Sequence, residues 1–439
     1  MLLRGHTLRS KVCSKLLGCL SLSALRQSLS LRPLSRKFHV SCQRCSTMPS
    51  WVIDRYGKND VLRFTSNMTF PAIRLPNEVI IKVHAASLNP IDVNMRNGYG
   101  ASALRVKRDP LHISGKGNEF PLILGRDVSG VVMECGPSVS YFKPGDEVWA
   151  AIPPWKQGTL SEFVLASGNE ISRKPKCLTH TEAASLPYVG LTTWFAVSNA
   201  GGLDADSCLD KRILIIGASG GVGTFAIQLM KAWSGHVTAV CSQDASELVK
   251  RLGADDIIDY KSGNMEEQLK KLPMFDFILD NVGGSTENWA PNLLRKWSGA
   301  RYVSLVTPFL VNMDRLGVAD GMLRTGITIG AKVLKHLYNG IHYRWSFFAS
   351  NGPHLDEIAT LVNAGKVCLT WLFHFLLLDE PMIFLVQAFL LILAGKQLAT
   401  RCHFLLNIPS GGRVVLFSMV YYHSLPEKMS FAECGSLAF

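Results

Sequence analysis

The chain has 439 residues and a formal net charge of +12 at pH 7, a length that predicts two or three domains with a large core. Nine of its 46 Lys and Arg residues lie in residues 1–47, where no acidic residue occurs, and without them the net charge is +3. The positive charge is therefore local, and it does not indicate nucleic acid as a partner.

Residues 1–47 have the composition of a targeting segment. They are basic, serine-rich and leucine-rich, which is typical of an amphipathic mitochondrial presequence. Arg36-Lys37-Phe38 resembles a matrix-processing site and predicts cleavage after Phe38. A secretory signal with its apolar core at residues 16–25 is the alternative, but arginines continue well beyond that core. We predict a mitochondrial protein of the matrix, with the outer membrane as a second location.

The eleven cysteines are scattered along the chain. Cys42 and Cys45 have the spacing of a metal-binding pair, but no second pair and no histidine cluster lies near them in the sequence. We therefore predict neither a disulfide framework nor a metal site there, which suits reduced thiols in the mitochondrial matrix.

The segment from residue 48 to residue 187 consists of short predicted strands separated by turns. Residues 78–84 alternate as expected of a partly buried strand. Residues 128–133 and 147–151 repeat this pattern, and a Lys-Pro-Gly-Asp turn introduces the second of them. The sequence therefore predicts a β-rich domain in this part of the chain.

Residues 212–230 read RILIIGASGGVGTFAIQLM and combine a strand, a glycine turn and a helix. Four consecutive apolar residues at 213–216 predict a parallel strand that is buried on both faces. The turn residues Ser219, Gly220, Gly221, Val222 and Gly223 would let a pyrophosphate approach the backbone and the helix N-terminus. Ala218 stands where the dinucleotide-binding pattern usually has its first glycine, and a glycine-rich turn in an ordinary α/β domain is the alternative.

Further strands alternate with helices after the glycine turn. Predicted strands are residues 236–240, 255–260, 275–280 and 301–306, and residues 246–252 form one of the helices between them. The alternation predicts an α/β fold with a doubly wound parallel sheet.

The end of the second strand of this series distinguishes NADH from NADPH. NADH sites usually carry an acidic residue there, whereas this chain has Cys241-Ser242-Gln243. Asp244 comes slightly later, and we interpret it as the cap of the following helix. Ser242, Tyr260 and Lys261 can bind a 2′-phosphate, so the sequence predicts NADPH as the cofactor.

Seven stretches occur in the order found in medium-chain dehydrogenase/reductases of the quinone-oxidoreductase type, which the chain resembles from about Trp51 to Lys366. They are residues 85–100, 124–132, 142–150, 158–164, 183–194, 217–228 and 275–284. The resemblance implies a GroES-like β-rich catalytic domain joined to a Rossmann domain, and hydride transfer from NADPH to quinones or related enones. It also implies cofactor contacts from Asn281, Leu305, Ser346 and Phe348.

Three stretches, residues 51–64, 150–163 and 312–323, are similar to a mitochondrial branch of this family. That likeness implies a link to ubiquinone metabolism, and a reticulon-type membrane protein as partner. A second hypothesis follows, in which the chain is an NADPH-binding interaction protein that docks on such a partner and has little catalysis.

The loop that faces the nicotinamide in relatives corresponds here to residues 89–99. The resemblance implies catalytic roles for Asn89, Asp92, Asn94, Arg96 and Tyr99. Relatives often place a tyrosine at the position of Asn94, so a tyrosine proton donor is weakly supported there. For Asn89 and Asp92, the alternative is that they hold the backbone of the loop.

Zinc-dependent members of the family bring a cysteine after the first catalytic strand, and a Gly-His-Glu sequence, to the metal. The corresponding places in this chain hold residues 89–92 and Gly125-Arg126-Asp127. Zinc requires Cys, His or carboxylate ligands in a tetrahedron. We therefore predict that the protein uses no metal.

The sequence divides into five predicted segments. They are a presequence at 1–47, a GroES-like catalytic domain at 48–187, a Rossmann domain at 188–330, a return to the catalytic domain at 331–367 and a divergent apolar tail at 368–439.

The tail departs from the family pattern. Its apolar stretches at 368–378 and 382–394 are shorter than the roughly twenty residues of a membrane helix, and Asp379-Glu380-Pro381 separates them. Because the tail does not show the family's late strands, we expect an unpaired sheet edge and an aggregation-prone, less active chain.

Overall fold

Three sheets organise the computed structural model, which describes residues 47–108, 119–368, 405–408 and 413–417. In chain order the strands are β1 Thr47–Ile53, β2 Leu62–Thr69, β3 Glu78–Leu88, β4 Leu122–Ile123, β5 Asp127–Cys135, β6 Glu147–Ala151, β7 Phe163–Ser167, β8 Ile171–Arg173, β9 Arg212–Ile216, β10 His236–Cys241, β11 Asp256–Asp259, β12 Phe277–Asp280, β13 Arg301–Ser304, β14 His342–Trp345, β15 Leu405–Ile408 and β16 Arg413–Phe417. All described residues belong to one unit, Cys45–Phe439.

Helices connect these strands. In chain order they are α1 Pro90–Arg96, α2 Ala101–Arg108, α3 His180–Ala183, α4 Pro187–Trp194, α5 Gly221–Ala232, α6 Gln243–Arg251, α7 Met265–Lys270, α8 Thr286–Trp289, α9 Phe309–Leu316, α10 Val318–Tyr338 and α11 Gly352–Asn363. A π-helix at Phe195–Ala200 continues α4. No helix in the described part of the chain has both the length and the apolar character needed to cross a membrane.

The β-rich part of the chain is built around β3. This strand pairs antiparallel with β5 along one edge, while β7 and β16 share the other edge. Val79, Ile81 and Val83 of β3 belong to the core of this part, and Ile80 on the opposite face is buried as well. The predicted alternation therefore understates the burial of β3. A smaller sheet of three strands, in the order β2-β1-β4, is formed by the same part of the chain.

The described end of the tail completes the sheet of β3. Strand β16 pairs parallel with β3, from Val414 opposite Ala85 to Phe417 opposite Leu88, and β15 pairs antiparallel with β16. The expectation of an unpaired edge is therefore wrong along β3. Pairing satisfies backbone N–H and C=O groups and needs only an extended segment, so it does not require the family's side-chain pattern. The two apolar stretches of the tail after Cys368 lie outside the described residues.

Six parallel strands form the second large sheet, in the order β11-β10-β9-β12-β13-β14. The strand of the glycine motif, β9, lies in the middle, and its residues Ile213, Leu214, Ile215 and Ile216 are buried. Apolar cores cover both faces of the sheet. This is the doubly wound architecture that the alternation of strands and helices predicts.

The sixth strand, β14, corrects one predicted boundary. It pairs parallel with β13, from His342 opposite Arg301 to Trp345 opposite Ser304. The chain therefore remains in the nucleotide sheet beyond residue 330, where the sequence predicted a return to the catalytic domain. Four residues with two large aromatic rings give too short a pattern to predict this strand. The predicted presequence and its processing site at Phe38 lie outside the described residues, except that Thr47 already begins β1.

Candidate active site

The glycine turn joins β9 to α5 at the centre of the parallel sheet. Gly220 is the N-cap residue of α5, which begins at Gly221, and residues 219–222 are half-exposed. A Cβ on Gly223 would lie 2.5 Å from the Gly217 carbonyl oxygen and 2.6 Å from the Ala218 Cα. Only glycine therefore lets α5 approach the turn this closely. The first N–H groups of a helix have no intrahelical partner and suit an anion such as a pyrophosphate.

Asn281 lies beside this turn, directly after β12. Its backbone N–H donates to the Ile216 carbonyl at 3.2 Å, which places it against the end of β9. The side chain is 3% exposed, and among the described residues neither Oδ1 nor Nδ2 has a hydrogen-bond partner. A buried amide without partners costs about 1–3 kcal/mol. The site therefore fits a ligand with both donors and acceptors, as a nicotinamide dinucleotide has.

Asp280 shapes the loop next to Asn281, and the sequence analysis did not identify it. Its carboxylate accepts hydrogen bonds from the hydroxyls of Thr286 and Tyr302, and from the N–H groups of Val282 and Gly283, both at 2.9 Å. Burial, with the adjacent carboxylate of Asp280, raises the pKa of Tyr302. These bonds fix the chain as it leaves β12. The presence of Asp just before Asn281 was the only sequence signal.

Three further predicted cofactor residues follow the carboxyl ends of neighbouring strands. The N–H of Leu305 donates to the Asp280 carbonyl, and that of Ser346 donates to the Ser304 carbonyl, both at 3.1 Å. Both side chains are 6% exposed. Phe348 follows two residues later and is half-buried. These positions share one edge of the sheet with Asn281 and the glycine turn, which is the edge where open α/β sheets bind ligands.

Ser242 follows the end of β10, and Tyr260 and Lys261 follow the end of the neighbouring strand β11. Ser242 follows Cys241, whose carbonyl accepts the N–H of Tyr260 at 3.2 Å. The ammonium of Lys261 lies 5.9 Å from the centre of the Tyr260 ring. Ser242 is half-buried, and its side chain makes no capping hydrogen bond to α6 among the residues described.

Helix α6 begins earlier than the sequence predicted. It starts at Gln243 rather than at Ser246, and Ser242 occupies the N-cap position. Asp244 therefore lies in the first turn, where it is exposed, and its interpretation as the helix cap is wrong. A carboxylate in the first turn is favourable to the helix dipole without being its cap, and the polar sequence at 241–246 left the start ambiguous.

Asn89 and Asp92 hold the beginning of α1. The Asn89 N–H donates to Asp92 Oδ2 at 2.9 Å, and the Asn89 side-chain amide donates to Asp127 Oδ2 at 2.7 Å. Asp92 Oδ1 also accepts the N–H of Gly125 at 2.8 Å. Both side chains are nearly fully buried. These contacts match the alternative in which the two residues hold the backbone of the loop.

Arg126 and Asp127 complete a buried polar network with these residues. The Arg126 guanidinium lies 3.3 Å from Asp92 Oδ1, and it donates to the carbonyls of Pro153 at 2.9 Å and Ile123 at 3.1 Å. Asp127 accepts the Ser87 hydroxyl at 2.8 Å. Burial raises the pKa of Asp127 to about 7, although the hydrogen bonds that its carboxylate accepts lower the pKa. Burial also raises the pKa of Asp92, and the Arg126 charge opposes that shift.

Arg96 has other partners. It donates to the Gly57 carbonyl at 3.2 Å, to the amide oxygen of Asn59 and to that of Asn97 at 3.2 Å. These bonds tie the end of α1 to the loop before β2. The described contacts therefore do not join Arg96 to the network of Asn89, Asp92, Arg126 and Asp127.

Asn94 and Tyr99 are half-buried residues of the same loop. The Asn94 side-chain nitrogen is buried without a hydrogen-bond partner in the described ranges. Burial, together with the charge of Asp314, raises the pKa of Tyr99. Asp314 belongs to α9 and accepts the N–H groups of Gly100 at 2.6 Å and Ser102 at 3.0 Å. The nucleotide part of the chain thus binds the start of α2 directly.

Comparisons with known proteins agree with this arrangement. The alcohol dehydrogenase GroES-like domain matches residues 75–176, and the family described as zinc-binding dehydrogenase matches residues 221–314. The chain is 70% identical over 350 residues to the human protein named NAD(P)H oxidoreductase RTN4IP1, mitochondrial. The aligned residues cover 80% of this chain and 88% of that protein. The chain belongs to the medium-chain dehydrogenase/reductase family. Its β-rich part is the GroES-like domain of that family, and its parallel sheet is the Rossmann-like domain.

Two more distant members have names that bear on the chemistry and the partner. The Caenorhabditis elegans protein named reticulon-4-interacting protein 1, mitochondrial, is 34% identical over 325 residues, which cover 74% of this chain and 87% of that one. The solved structure of the quinone oxidoreductase from Coxiella burnetii is 26% identical with a TM-score of 0.60, and the match covers 85% of this chain and all of that one.

Residues 89–92 and 125–127, which the sequence analysis compared with the zinc ligands of family members, contribute Asn89, Asp92, Arg126 and Asp127 to the buried network. No group of three or more His, Cys, Asp or Glu side chains in residues 47–108, 119–368 and the two tail strands could hold a metal ion. The carboxylates of Asp92 and Asp127 are instead committed to Arg126, to amide donors and to the Ser87 hydroxyl.

Tyr188 connects the two domains of this family member, and the sequence analysis did not single it out. Its N–H donates to Asp127 Oδ1 at 2.6 Å, and its ring stacks on Phe348 with 4.2 Å between centroids. The ring packs against both the GroES-like core and one core of the Rossmann-like sheet. Burial, with the nearby carboxylates of Asp92 and Asp127, raises the pKa of Tyr188. The only sequence signal was its place in the family stretch at 183–194.

Proposed function

We propose that this chain is an NADPH-dependent oxidoreductase that reduces quinones or related enones without a metal ion. The observation that carries the proposal is the partnerless, buried amide of Asn281 beside the glycine turn. The names of the human and Coxiella burnetii relatives support a nicotinamide cofactor and, for the latter, a quinone. The same proposal extends to a role in ubiquinone metabolism.

The preference for NADPH is supported by the ends of β10 and β11. Ser242 and Lys261 offer a hydroxyl and a cation at the edge where the ribose would lie. Asp244 is exposed in the first turn of α6 and does not occupy the end of β10. At the end of β10 a 2′-phosphate would therefore meet a hydroxyl rather than a carboxylate. The carboxylate at the end of β11, Asp259, accepts the N–H of Lys261 at 2.9 Å.

The residues of the site would bind and orient the reactants. When bound, NADPH supplies a hydride to the acceptor. The side-chain amides of Asn281 and Asn94 would bind polar groups of the cofactor or acceptor, since each has a buried nitrogen without a partner in the described ranges. The hydroxyl of Tyr188, whose pKa is raised by burial, would be protonated and would donate a hydrogen bond to the acceptor oxygen.

Metal independence is supported by the charge of Arg126. A guanidinium 3.3 Å from Asp92 Oδ1, with neither side chain more than 1% exposed, already neutralises that carboxylate. A divalent cation at this position would have to displace Arg126 and leave its buried charge unpaired, which is costly.

Mitochondrial location is proposed from residues 1–47 and from the names of the relatives, several of which are called mitochondrial. A fusion of residues 1–38 to a fluorescent reporter should enter the matrix, and neutralising Arg4, Arg9, Lys11 and Lys15 should abolish import. A secreted or glycosylated reporter would contradict this location.

The proposed reaction is tested by steady-state NADPH oxidation with a panel of quinones and enones. The Asn281→Leu variant should lose NADPH binding in a fluorescence titration, because it removes the buried amide that would form hydrogen bonds with the cofactor. Gly221→Val should do the same by placing a branched side chain at the helix N-terminus. As a control, Gly330→Val in α10, where a Cβ meets nothing within 4 Å, should bind NADPH like the parent chain. Unchanged affinity in both site variants would refute the cofactor assignment.

A second candidate function is an NADPH-binding protein that docks on a reticulon-type membrane protein and has little catalysis. It is favoured by Asn94, which stands where relatives often have a tyrosine, and by the name of the Caenorhabditis elegans relative. Tight NADPH binding without turnover of any acceptor in the panel would favour this second function over the first.

A further inference from the structure

Helix α10 exposes an apolar stripe. Leu323, Ile327, Leu334 and Tyr338 are 65%, 65%, 68% and 86% exposed. Side chains three or four residues apart share one face of a helix. The spacing of these four residues, with the exposed Ala331 between Ile327 and Leu334, therefore places them on one face of α10. Scattered apolar residues are normal on a surface, but a continuous stripe of this kind marks an interaction site.

The opposite face of α10 is firmly attached to the rest of the protein. A Cβ on Gly321 would lie 2.6 Å from the Met313 Cα, so α10 crosses α9 at close range. Thr325 accepts the Asn312 amide at 3.0 Å, Lys332 pairs with Glu287 at 2.6 Å, and His336 is buried. These contacts fix the rotation of the helix about its axis. The outward position of the apolar stripe is therefore set by the fold.

Basic residues accompany the stripe. Arg324 and Lys335 lie beside it on α10, and Arg315 lies in the last turn of α9. All three are exposed, and none of them forms an ion pair within the described part of the chain. The acidic residue of α10 is the exposed Asp320, which lies in the first turn, three residues before Leu323 and on the side of the stripe. An apolar face bordered by Lys and Arg is the pattern of helices that lie in the interface of an anionic membrane.

We propose that α10 docks this protein on the surface of a membrane that contains anionic lipid. The side chains of Leu323, Ile327 and Leu334 would enter the headgroup region, and Arg324 and Lys335 would contact lipid phosphates. The helix would lie on the membrane rather than cross it, in agreement with its limited apolar character. The proposal concerns a surface outside the candidate active site and does not depend on the proposed reaction.

The charges favour lipid over a second copy of the chain. An antiparallel, two-fold pairing of α10 centred on Gly330 would bring Arg324 of one copy towards Lys335 of the other. These are like charges at an interface, which disfavours association, whereas lipid phosphates supply the opposite charge.

Vesicle flotation of the full-length protein tests the proposal, because aggregated protein stays at the bottom of the gradient. The protein should float with phosphatidylcholine vesicles that contain 30% cardiolipin, and it should be released by 0.5 M NaCl. The variant L323Q/I327Q/L334Q should reduce the floating fraction at least about tenfold. R324Q/K335Q should weaken binding by roughly fivefold per removed cation.

Matched controls change exposed residues elsewhere. Leu75→Gln with Leu209→Gln, at 56% and 58% exposure, and Lys58→Gln with Lys296→Gln should float like the parent chain. Failure of the parent chain to float, or equal flotation of the triple variant, would overturn the proposal. So would a dimer, measured by light scattering without lipid, that the triple variant converts to monomer. NADPH affinity is measured in parallel, so a failed reaction and a failed docking surface are distinguishable.

Discussion

Asp92 and Arg126 form an ion pair with Oδ1 and Nε 3.3 Å apart, in which neither side chain is more than 1% exposed. Through Asn89 and Asp127, this pair connects the start of α1 to Tyr188 at the start of α4. The loop that was predicted to face the nicotinamide is therefore held by this buried ion pair and by the hydrogen bonds around it.

Arg126→Met should strongly destabilise the protein, because it leaves the Asp92 carboxylate buried without its cation. The expected loss is about 3–5 kcal/mol in the free energy of unfolding, measured by urea denaturation. Asp92→Asn combined with Arg126→Met should recover part of it. Arg63→Met, which removes an exposed ion pair with Asp54, should cost far less. A similar loss in both single variants would contradict the special role of the buried pair.

The pH dependence of stability should reveal Asp127. Its pKa is raised to about 7 in the folded protein by burial, whereas an unfolded Asp ionises near about 3.9. Between these values the folded state holds one more proton, so the free energy of unfolding falls as pH rises, by at most about 1.4 kcal/mol per pH unit. Asp127→Asn should remove this part of the slope between about pH 4 and pH 7. Identical slopes in the two proteins would show that Asp127 does not titrate in this window.

Ser242→Asp should shift the cofactor preference towards NADH. A carboxylate at the N-cap of α6 would repel the 2′-phosphate, and we expect the ratio of NADPH to NADH affinity to fall at least roughly tenfold. Fluorescence titrations with both cofactors measure the ratio. Ser246→Asp, one turn into α6, is the matched control and should leave it unchanged. If both affinities of Ser242→Asp move together, Ser242 does not lie at the ribose.

Tyr188→Phe should lower kcat while leaving NADPH affinity intact. The variant keeps the ring that stacks on Phe348 and removes only the hydroxyl. Loss of a proton or hydrogen-bond donor to the acceptor typically costs about 10²–10⁴-fold in rate. Tyr141→Phe, at an exposed position, is the control. An unchanged kcat for every active acceptor would exclude Tyr188 as the donor.

Two truncations of the tail distinguish the contribution of β16 to stability from that of the residues after it. A chain that ends at Cys368 loses β16, and residues 85–88 of β3 lose their backbone partners, at a cost on the order of 1 kcal/mol per hydrogen bond. A chain that ends at Phe417 keeps β16. Only the first truncation should lower the thermal midpoint and the soluble yield. Equal midpoints would show that β16 contributes nothing to stability.

The sequence by itself determined the features that depend on local pattern. The glycine turn, the buried strand before it and the helix after it are adjacent in the chain, so period and composition identify them. The predicted strand at 147–151 coincides with β6 for the same reason. The cofactor contacts predicted for Asn281, Leu305 and Ser346 followed from a resemblance whose motifs are also contiguous.

Tertiary structure alone decided the features that depend on distant partners. Arg126 and Asp92 are far apart in sequence, and neither residue indicates by itself that burial will pair them. Strand β16 pairs with β3 across more than three hundred residues, and the short β14 gains its place only by pairing with β13. Backbone hydrogen bonds and buried charges are satisfied by whichever group the fold brings near, and that choice is not written in local periodicity.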